Sequence, residues 1–246
     1  MIIAAALCPA PPLLARELTG TDPVLPELRT ACLHATATLL AADPDLVAVV
    51  GVAAQTRRWD SRRRLDPAPY APALRAARNG PDQADGNRDR DAAIPLPLGL
   101  AGRLLDQAGF GARRVVHSVG EHTPAWDCAA LGAQLAAAAE RVALLVMADG
   151  SARRGLKAPG HLDERSAPFD AEVERAVRAG DMAALLALDA DLARELMATG
   201  RPAWQVLAGA LAGRQPAGEV LYSDDPFGVA YLVASLTPAD DGSIAG

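Results

Sequence analysis

A short polar loop with three chemically useful side chains directly follows an apolar stretch of the chain. The stretch "RVALLVMA" has the length and composition of a buried β-strand, and the following "DGSARR" contains Asp149, Ser151 and Arg153. In open α/β sheets, ligands bind in the crevice beyond the carboxyl ends of the strands. Arg153 and backbone N–H groups at that place could bind a small anion. Asp149 has an alternative structural role, because aspartate side chains commonly satisfy turns.

His122 occupies the corresponding position after another predicted strand. The sequence "SVGEHTPAWD" places it beyond the carboxyl end of that strand and before a helix. A histidine at this place is a candidate general acid, general base or hydrogen-bond donor, and a solvated loop histidine is the alternative. His34, His117 and His161 fall in a predicted helix, a predicted strand and a loop, where structural or solvated roles are favoured.

The alternation of strands and helices predicts the fold that positions these loops. The strand-like runs "IIAAAL", "LVAVVGV", "RRVVHSVG" and "RVALLVMA" are separated by helical stretches. This order predicts a three-layer α/β fold with a mostly parallel central sheet and helices on both faces. Residues 167–213 are predicted to be almost wholly helical, and two strand-like runs around Asp224 to Gly228 predict an antiparallel hairpin at the sheet edge.

The same pattern predicts one α/β domain over residues 1–236. Residues 66–92 are rich in Pro, Asp, Asn, Gly and Arg, which predicts an irregular excursion whose conformation the sequence does not define. Residues 237–246 are expected to form a tail.

Charge limits the classes of partner. The chain of 246 residues has a net charge of −6, whereas general binding to nucleic acid or anionic membranes requires clustered Lys and Arg. The run "TRRWDSRRR" is a local exception, in which Trp59 would offer a stacking surface beside the arginines to a phosphate or an acidic partner. A solvated charged loop is the favoured alternative.

Neither the apolar segments nor the cysteines indicate a membrane or an oxidising compartment. The first apolar run lacks preceding basic residues and is broken by prolines, which predicts a β-strand and not a signal peptide. No segment reaches the roughly 20 apolar residues that span a bilayer. Cys8, Cys32 and Cys128 lack paired or metal-binding spacing. We therefore expect a cytoplasmic protein without nucleic-acid or membrane partners.

Several motifs together resemble one known family, although the common phosphate, dinucleotide, acyl-transfer and zinc signatures are absent. "AALCPAPPLL" follows the first strand, "VVGVAAQ" ends the second, and "EHTP" follows a later one. With the stretch from "MADGSARR" to "WQVLAGAL", they resemble the LigB-like superfamily. This superfamily comprises the catalytic subunits of the class III extradiol ring-cleavage dioxygenases and the related Memo-like proteins. The resemblance extends from Ile2 to Leu236 and is most specific in the long helical stretch.

The resemblance implies a site from which this sequence departs. The family holds a non-haem Fe(II) with a His after the first strand, a His after the second, and a Glu, or Cys in Memo, near a late helix. A further His transfers protons. At these four positions the chain has Ala10, Gln55, Thr199 or a close neighbour, and Ala152. The serine before the proton-transfer position is retained as Ser151, and His122 aligns with a further acid/base His of the family.

These departures predict a protein without the family's iron. A 2-His-1-carboxylate site needs imidazole and carboxylate donors, whereas alanine has none, and glutamine and threonine are poor ligands for Fe(II). We therefore expect no cofactor and a pseudoenzyme that binds a small aromatic or anionic molecule, or a partner protein, in the inherited crevice. The expected lining is Cys8, Ala10, Gln55, His122, Asp149, Ser151, Ala152, Arg153 and Thr199.

Three alternatives remain open at the level of sequence. The first is an active oxidoreductase that cleaves catechol-type substrates. The second is a metal-independent hydrolase or isomerase in which His122 acts as base and Arg153 or Gln55 polarises the substrate. The third is an oligomeric interaction scaffold, because the resemblance implies dimers or larger assemblies and residues 66–90 could form a partner loop.

Overall fold

A computed structural model describes residues 1–19, 24–67, 70, 93–111 and 113–238. The predicted excursion at residues 66–92 lies almost entirely outside these described residues, as does most of the predicted tail at residues 237–246. The division of the chain into one domain, an excursion and a tail therefore remains a prediction.

Seven strands in the described residues form one mixed sheet. They are β1 (Ile2–Cys8), β2 (Leu46–Ala53), β3 (Arg57–Trp59), β4 (Arg114–Gly120), β5 (Val142–Met147), β6 (Ala217–Asp224) and β7 (Tyr231–Thr237). Their order across the sheet is β3-β4-β2-β5-β1-β7-β6. The four inner strands β4, β2, β5 and β1 are parallel, β3 pairs antiparallel with β4, and the β6–β7 hairpin is joined antiparallel to β1. The prediction of a mostly parallel sheet with an antiparallel edge hairpin is confirmed.

Eight α-helices in the described residues cover the two faces of the sheet. One face packs against α2 (Pro26–Ala41) and α3 (Leu96–Gln107), next to the short α1 (Arg16–Thr19). The other face packs against α4 (Ala125–Ala136), α5 (Ser166–Ala179), α6 (Met182–Leu186), α7 (Ala190–Glu195) and α8 (Arg201–Ala210). None of the helices in the described residues is both long and apolar enough to cross a membrane.

The inner strands are apolar because helices cover them on both sides. Successive residues of β1 alternate between the two cores: Ala5 and Leu7 pack on the α4, α5 and α8 side, whereas Ala4, Ala6 and Cys8 pack on the α2 and α3 side. Because β1, β2, β4 and β5 are parallel, their carboxyl ends lie together at one edge of the sheet.

Glycines allow α4 and α8 to pack unusually closely. A Cβ atom at Gly132 would lie 2.2 Å from the carbonyl oxygen of Val206, and one at Gly209 would lie 2.4 Å from Cα of Ala129. This close packing fixes α8 against α4. The first turn of α4 directly follows the loop after β4 (the β4 loop). The first turn of α8 thereby reaches the loops that end the parallel strands.

Candidate functional site

The loops after β1 and β5 are joined at a single carboxylate. The backbone N–H of Ala10 donates to Oδ1 of Asp149 at 2.7 Å, and the N–H of Ala148 donates to the carbonyl oxygen of Cys8 at 2.9 Å. Because β1 and β5 are neighbouring parallel strands, their carboxyl ends lie side by side. The predicted positions Ala10 and Asp149 are therefore in direct contact.

The first turn of α8 holds the β5 loop. The helix begins at the sequence Gly200-Arg201-Pro202, in which proline occupies an early position where its missing N–H costs nothing. The N–H of Gly200 donates to the carbonyl oxygen of Asp149 at 2.9 Å. A Cβ atom at Gly200 would lie 2.4 Å from that oxygen, so glycine is required for the approach. The exposed Thr199 stands immediately before this contact.

A buried arginine in the same turn holds the β4 loop. Arg201 is 4% exposed, and its Nη2 donates to the carbonyl oxygens of Glu121 and Thr123 at 2.9 and 3.2 Å. Its Nη1 donates to Oε1 of Gln205 at 2.7 Å. All three of these acceptors of the buried guanidinium are neutral oxygens, and none is a carboxylate. Arg201 positions the loop that contains His122. Its role is not apparent from the sequence, because an arginine in a predicted helix is expected to be exposed.

Gln55 and His122 stand on two loops that contact each other. Oγ1 of Thr56 lies 2.9 Å from Oγ1 of Thr123, and it accepts a hydrogen bond from the N–H of Gly120 at 2.9 Å. These contacts join the loops after β2 and β4. The side chains of Gln55 and His122 are both exposed at this edge.

Asp149 is the most chemically distinctive group of this edge. Within the described residues, its Oδ2 receives no hydrogen bond, although the residue is partly buried. Burial raises the pKa of the Asp149 carboxyl to about 6, and the hydrogen bond from Ala10 opposes this shift. Burial, followed by the charge of Asp149, raises the pKa of Tyr231 to about 12. Asp149 can therefore accept or release a proton close to neutral pH.

Ser151 is committed to a different aspartate. It is fully buried, and its N–H and Oγ donate to the two carboxylate oxygens of Asp170 on α5 at 2.9 and 2.5 Å. Arg154 Nε lies 3.9 Å from the same carboxylate and 2.7 Å from Oδ2 of Asp225. Burial raises the pKa of Asp170, and the bonds from Ser151 oppose that shift. Ser151 thus links the β5 loop to α5.

Arg153 is likewise occupied, by its own loop and by the end of α7. Its Nη1 donates to the carbonyl oxygen of Glu195 at 2.9 Å, and its Nε donates to that of His161 at 3.4 Å. The guanidinium also lies 3.8 Å from Asp163. Ala152, at the position implied for a proton-transfer histidine, is partly buried and offers no polar side chain.

Cys8 lies inside the core, at the carboxyl end of β1. It is fully buried on the side of the sheet that faces α2, where Cys32 is also buried. A hydrogen bond with Cys32, together with burial, raises the pKa of the Cys8 thiol well above its ordinary value. The thiol is therefore a packed core group with little tendency to ionise.

The side chains at the implied iron positions do not fit that metal. Ala10, Gln55 and Thr199 supply neither imidazole nor carboxylate. In the part of the chain that the structure describes, no group of three His, Cys, Asp or Glu side chains is placed to hold a metal ion. We therefore assign no step to a metal.

The fold has a counterpart among solved structures, although no match was found among protein families. No family model matches this chain, and no curated protein matches it either. The structure is similar to the crystal structure of uncharacterized protein JW3007 from Escherichia coli K12, with a TM-score of 0.53 and 15% identity. The alignment covers 95% of this chain and 99% of that chain. At this identity the similarity shows the shared three-layer α/β fold alone.

Proposed function

We propose that this chain is a LigB-like protein that has lost the iron site and binds a small molecule in the crevice at the carboxyl ends of β1, β2, β4 and β5. The observation on which the proposal rests is Asp149, a partly buried carboxylate with one oxygen held by Ala10 and the other without a donor in the described residues. Burying a charged group without full compensation costs free energy. A ligand that donates to Oδ2 would offset that cost.

The contacts around Asp149 favour a ligand without a negative charge. The Arg153 guanidinium already donates to two backbone carbonyl oxygens, so Arg153 is a weak candidate for the anion binding expected from the sequence. A carboxylate at Asp149 would also repel an anion. We therefore favour a neutral ligand with a hydroxyl donor, and the resemblance to extradiol dioxygenases suggests a phenol or catechol.

Catechol binding and metal content together test this proposal. Elemental analysis of the untagged protein should find well below one equivalent of iron or zinc. Catechol should shift backbone amide resonances of Ala10 and Asp149 saturably in an NMR titration. Asp149→Asn should weaken that binding about tenfold, because the amide presents a weaker acceptor than the carboxylate. Asp191→Asn is the matched control, because Asp191 lies on the exposed surface of α7 with a side chain 77% exposed.

Two results would contradict the proposal. One is about one equivalent of tightly bound iron or zinc that is lost on substitution of Gln55 or Asp149. The other is rapid oxygen uptake with catechol after addition of Fe(II), which would support the active dioxygenase.

The pKa of about 6 favours a second candidate, a metal-independent acid–base enzyme. In that case Asp149, and not the exposed His122, would move the proton. The activity should follow an apparent pKa near 6, should fall in Asp149→Asn by roughly 10² to 10⁴ fold, and should survive His122→Ala. Loss of activity in His122→Ala with retention in Asp149→Asn would restore the role that the sequence suggests for His122.

A further inference from the structure

Tyr231 stands at the start of β7, where that strand meets the loop after β5. The preceding residue, Ala230, donates its N–H to the carbonyl oxygen of Ser151 at 2.8 Å. Its own carbonyl oxygen accepts from the N–H of Gly150, also at 2.8 Å. Two hydrogen bonds therefore fix the start of β7 against the loop that contains Asp149.

The pairing of β1 with β7 places Tyr231 beside Ala10. Leu7 lies opposite Ala234 in this antiparallel pair, and continuing from residue 7 to 10 and from 234 to 231 leads to Ala10 and Tyr231. Both side chains belong to the apolar core on the α2 and α3 face of the sheet. Since the N–H of Ala10 holds Oδ1 of Asp149, the phenol and the carboxylate are neighbours. The effect of the Asp149 charge on the pKa of Tyr231 agrees with this placement.

Two oxygen atoms of these neighbours lack hydrogen-bond partners and are still accessible. Oη of Tyr231 has no partner within the described residues, although the residue is only 6% exposed. Oδ2 of Asp149 likewise receives no donor there. In the part of the chain that the structure describes, the unpaired polar side-chain atoms that are fully enclosed belong to Ser166, Trp204 and Ser235. The two oxygens are not among these enclosed atoms, so a ligand can reach them.

The two oxygens have complementary hydrogen-bonding roles. Burial, followed by the charge of Asp149, raises the pKa of Tyr231 to about 12, so the phenol keeps its proton at neutral pH and can donate. The ionised Asp149 carboxylate can only accept. The charge of Asp149 acts on the phenol, yet Tyr231 does not donate to the carboxylate. A ligand that donates to Asp149 and accepts from Tyr231 would satisfy both groups.

We propose that Tyr231 is the second hydrogen-bonding group of the crevice and donates to an oxygen of the ligand whose hydroxyl donates to Asp149. This inference rests on the function proposed above and narrows its ligand to a compound with an oxygen acceptor beside the hydroxyl donor. A catechol supplies both. An aromatic amine donates but accepts poorly, because its nitrogen lone pair is delocalised into the ring. Tyr231 thus selects hydroxyl-substituted rings over amino-substituted ones.

Catechol and 1,2-diaminobenzene form a matched pair of probes for this selection. They have the same ring and the same arrangement of substituents, and both are uncharged at neutral pH. NMR titration of the full chain follows the backbone amide of Asp149 and the ¹³C-labelled phenol carbon of Tyr231, which Tyr231→Phe assigns among the three tyrosines. We expect a saturable shift of the Tyr231 carbon with catechol and about tenfold weaker binding of the diamine.

Tyr231→Phe separates recognition of the ligand oxygen from packing of the ring. The change removes an oxygen without a protein partner in the described residues, so the variant should fold normally. It should weaken catechol binding about tenfold and leave binding of 1,2-diaminobenzene unchanged. Tyr222→Phe is the matched control and should change neither, because its phenol lies on the outer strand β6, 3.5 Å from Oδ2 of Asp224.

The possible failures distinguish this inference from the proposed function. Unchanged catechol binding by Tyr231→Phe would overturn the role of Tyr231 and leave the proposed function standing. Equal weakening of both probes would do the same, because it would assign to Tyr231 a packing role only. Failure of catechol to bind the wild-type protein would overturn the proposed function, and this inference would fall with it.

Discussion

Two partly buried aspartates lie at the loop after β5, and they differ in how many hydrogen-bond donors the protein supplies to each. Asp170 accepts from the N–H and Oγ of Ser151 and has Arg154 nearby. Asp149 accepts only from the N–H of Ala10 within the described residues. Burial raises the pKa of both carboxyls. Within the described residues, Asp170 thus has donors for both of its carboxylate oxygens, whereas Asp149 has a donor for one.

The two carboxylates should therefore respond oppositely to substitution. Removing a fully partnered group leaves its donors unsatisfied and lowers stability. Replacing an incompletely partnered charge with a neutral isostere removes a desolvation cost and raises stability.

The largest effect is expected for Asp170→Ala. This change leaves the buried N–H and hydroxyl of Ser151 without an acceptor and removes one neighbour of Arg154. We expect the free energy of unfolding at pH 7, measured with urea, to fall by about 3 kcal/mol. Asp191→Ala is the control and should change it by less than about 0.5 kcal/mol. A loss below about 1 kcal/mol for Asp170→Ala would remove the distinction between the two aspartates.

Asp149→Asn should have the opposite sign at high pH. In the folded protein the pKa of Asp149 is raised to about 6, above its ordinary value near 4 in the unfolded chain. The folded state therefore holds this proton more tightly, and the contribution of Asp149 to stability falls as pH rises from about 4 to 6. Asparagine keeps an acceptor for Ala10 and does not ionise. We expect the variant to be more stable than wild type by about 2 kcal/mol at pH 8 and equal to it at pH 4.

Thermal or urea unfolding of both proteins at these two pH values measures that difference. A variant that is less stable than wild type at pH 8 would mean that Asp149 has favourable partners in the native state, and it would place Asp149 in the same structural class as Asp170.

Ser151→Ala should have an intermediate effect that is confined to the Asp170 side. The Asp170 carboxylate loses the hydroxyl donor but keeps the N–H of residue 151. Unfolding in urea should show a loss of about 1 to 2 kcal/mol. Catechol binding in the crevice should be unchanged. If Ser151→Ala instead weakens catechol binding about tenfold with unchanged stability, Ser151 belongs to the crevice as the sequence suggests.

The smallest effect is expected for His122→Ala. His122 is exposed on a loop that Arg201 and Thr56 hold through the backbone and Thr123, so its imidazole contributes little to the fold. Stability should change by less than about 0.5 kcal/mol. A loss of more than about 1 kcal/mol would mean that the His122 imidazole has a stabilising partner in the native state.

The fold was predictable from periodicity, because buried parallel strands are continuous apolar runs and the intervening helices have apolar faces. The exception is β3, a strand of three residues in the arginine-rich run. Its pairing with β4 depends on a tertiary contact, in which Trp59 Nε1 donates to Oγ of Ser118 at 2.9 Å. Neither the length nor the composition of that run indicates a strand.

The site was predictable only in part. Ala10 and Asp149 each follow a strand of the predicted parallel sheet, which suggested a shared crevice. The structure brings these two residues into contact. Ser151 binds Asp170, 19 residues away along the chain, and Arg153 binds Glu195, 42 residues away, so no local pattern indicates these contacts. The LigB-like resemblance, the loss of iron binding, the cytoplasmic location and the homo-oligomer remain predictions.

Direct titration of Asp149 tests the central claim. The side-chain carboxyl of Asp149 can be followed by ¹³C NMR in the full chain between pH 3 and 8, with assignment by Asp149→Asn. We predict an apparent pKa of about 6 for this carboxyl. A value at or below about 4 would show a solvated or well-paired carboxylate, and it would contradict the role of Asp149 as the incompletely satisfied group of the crevice.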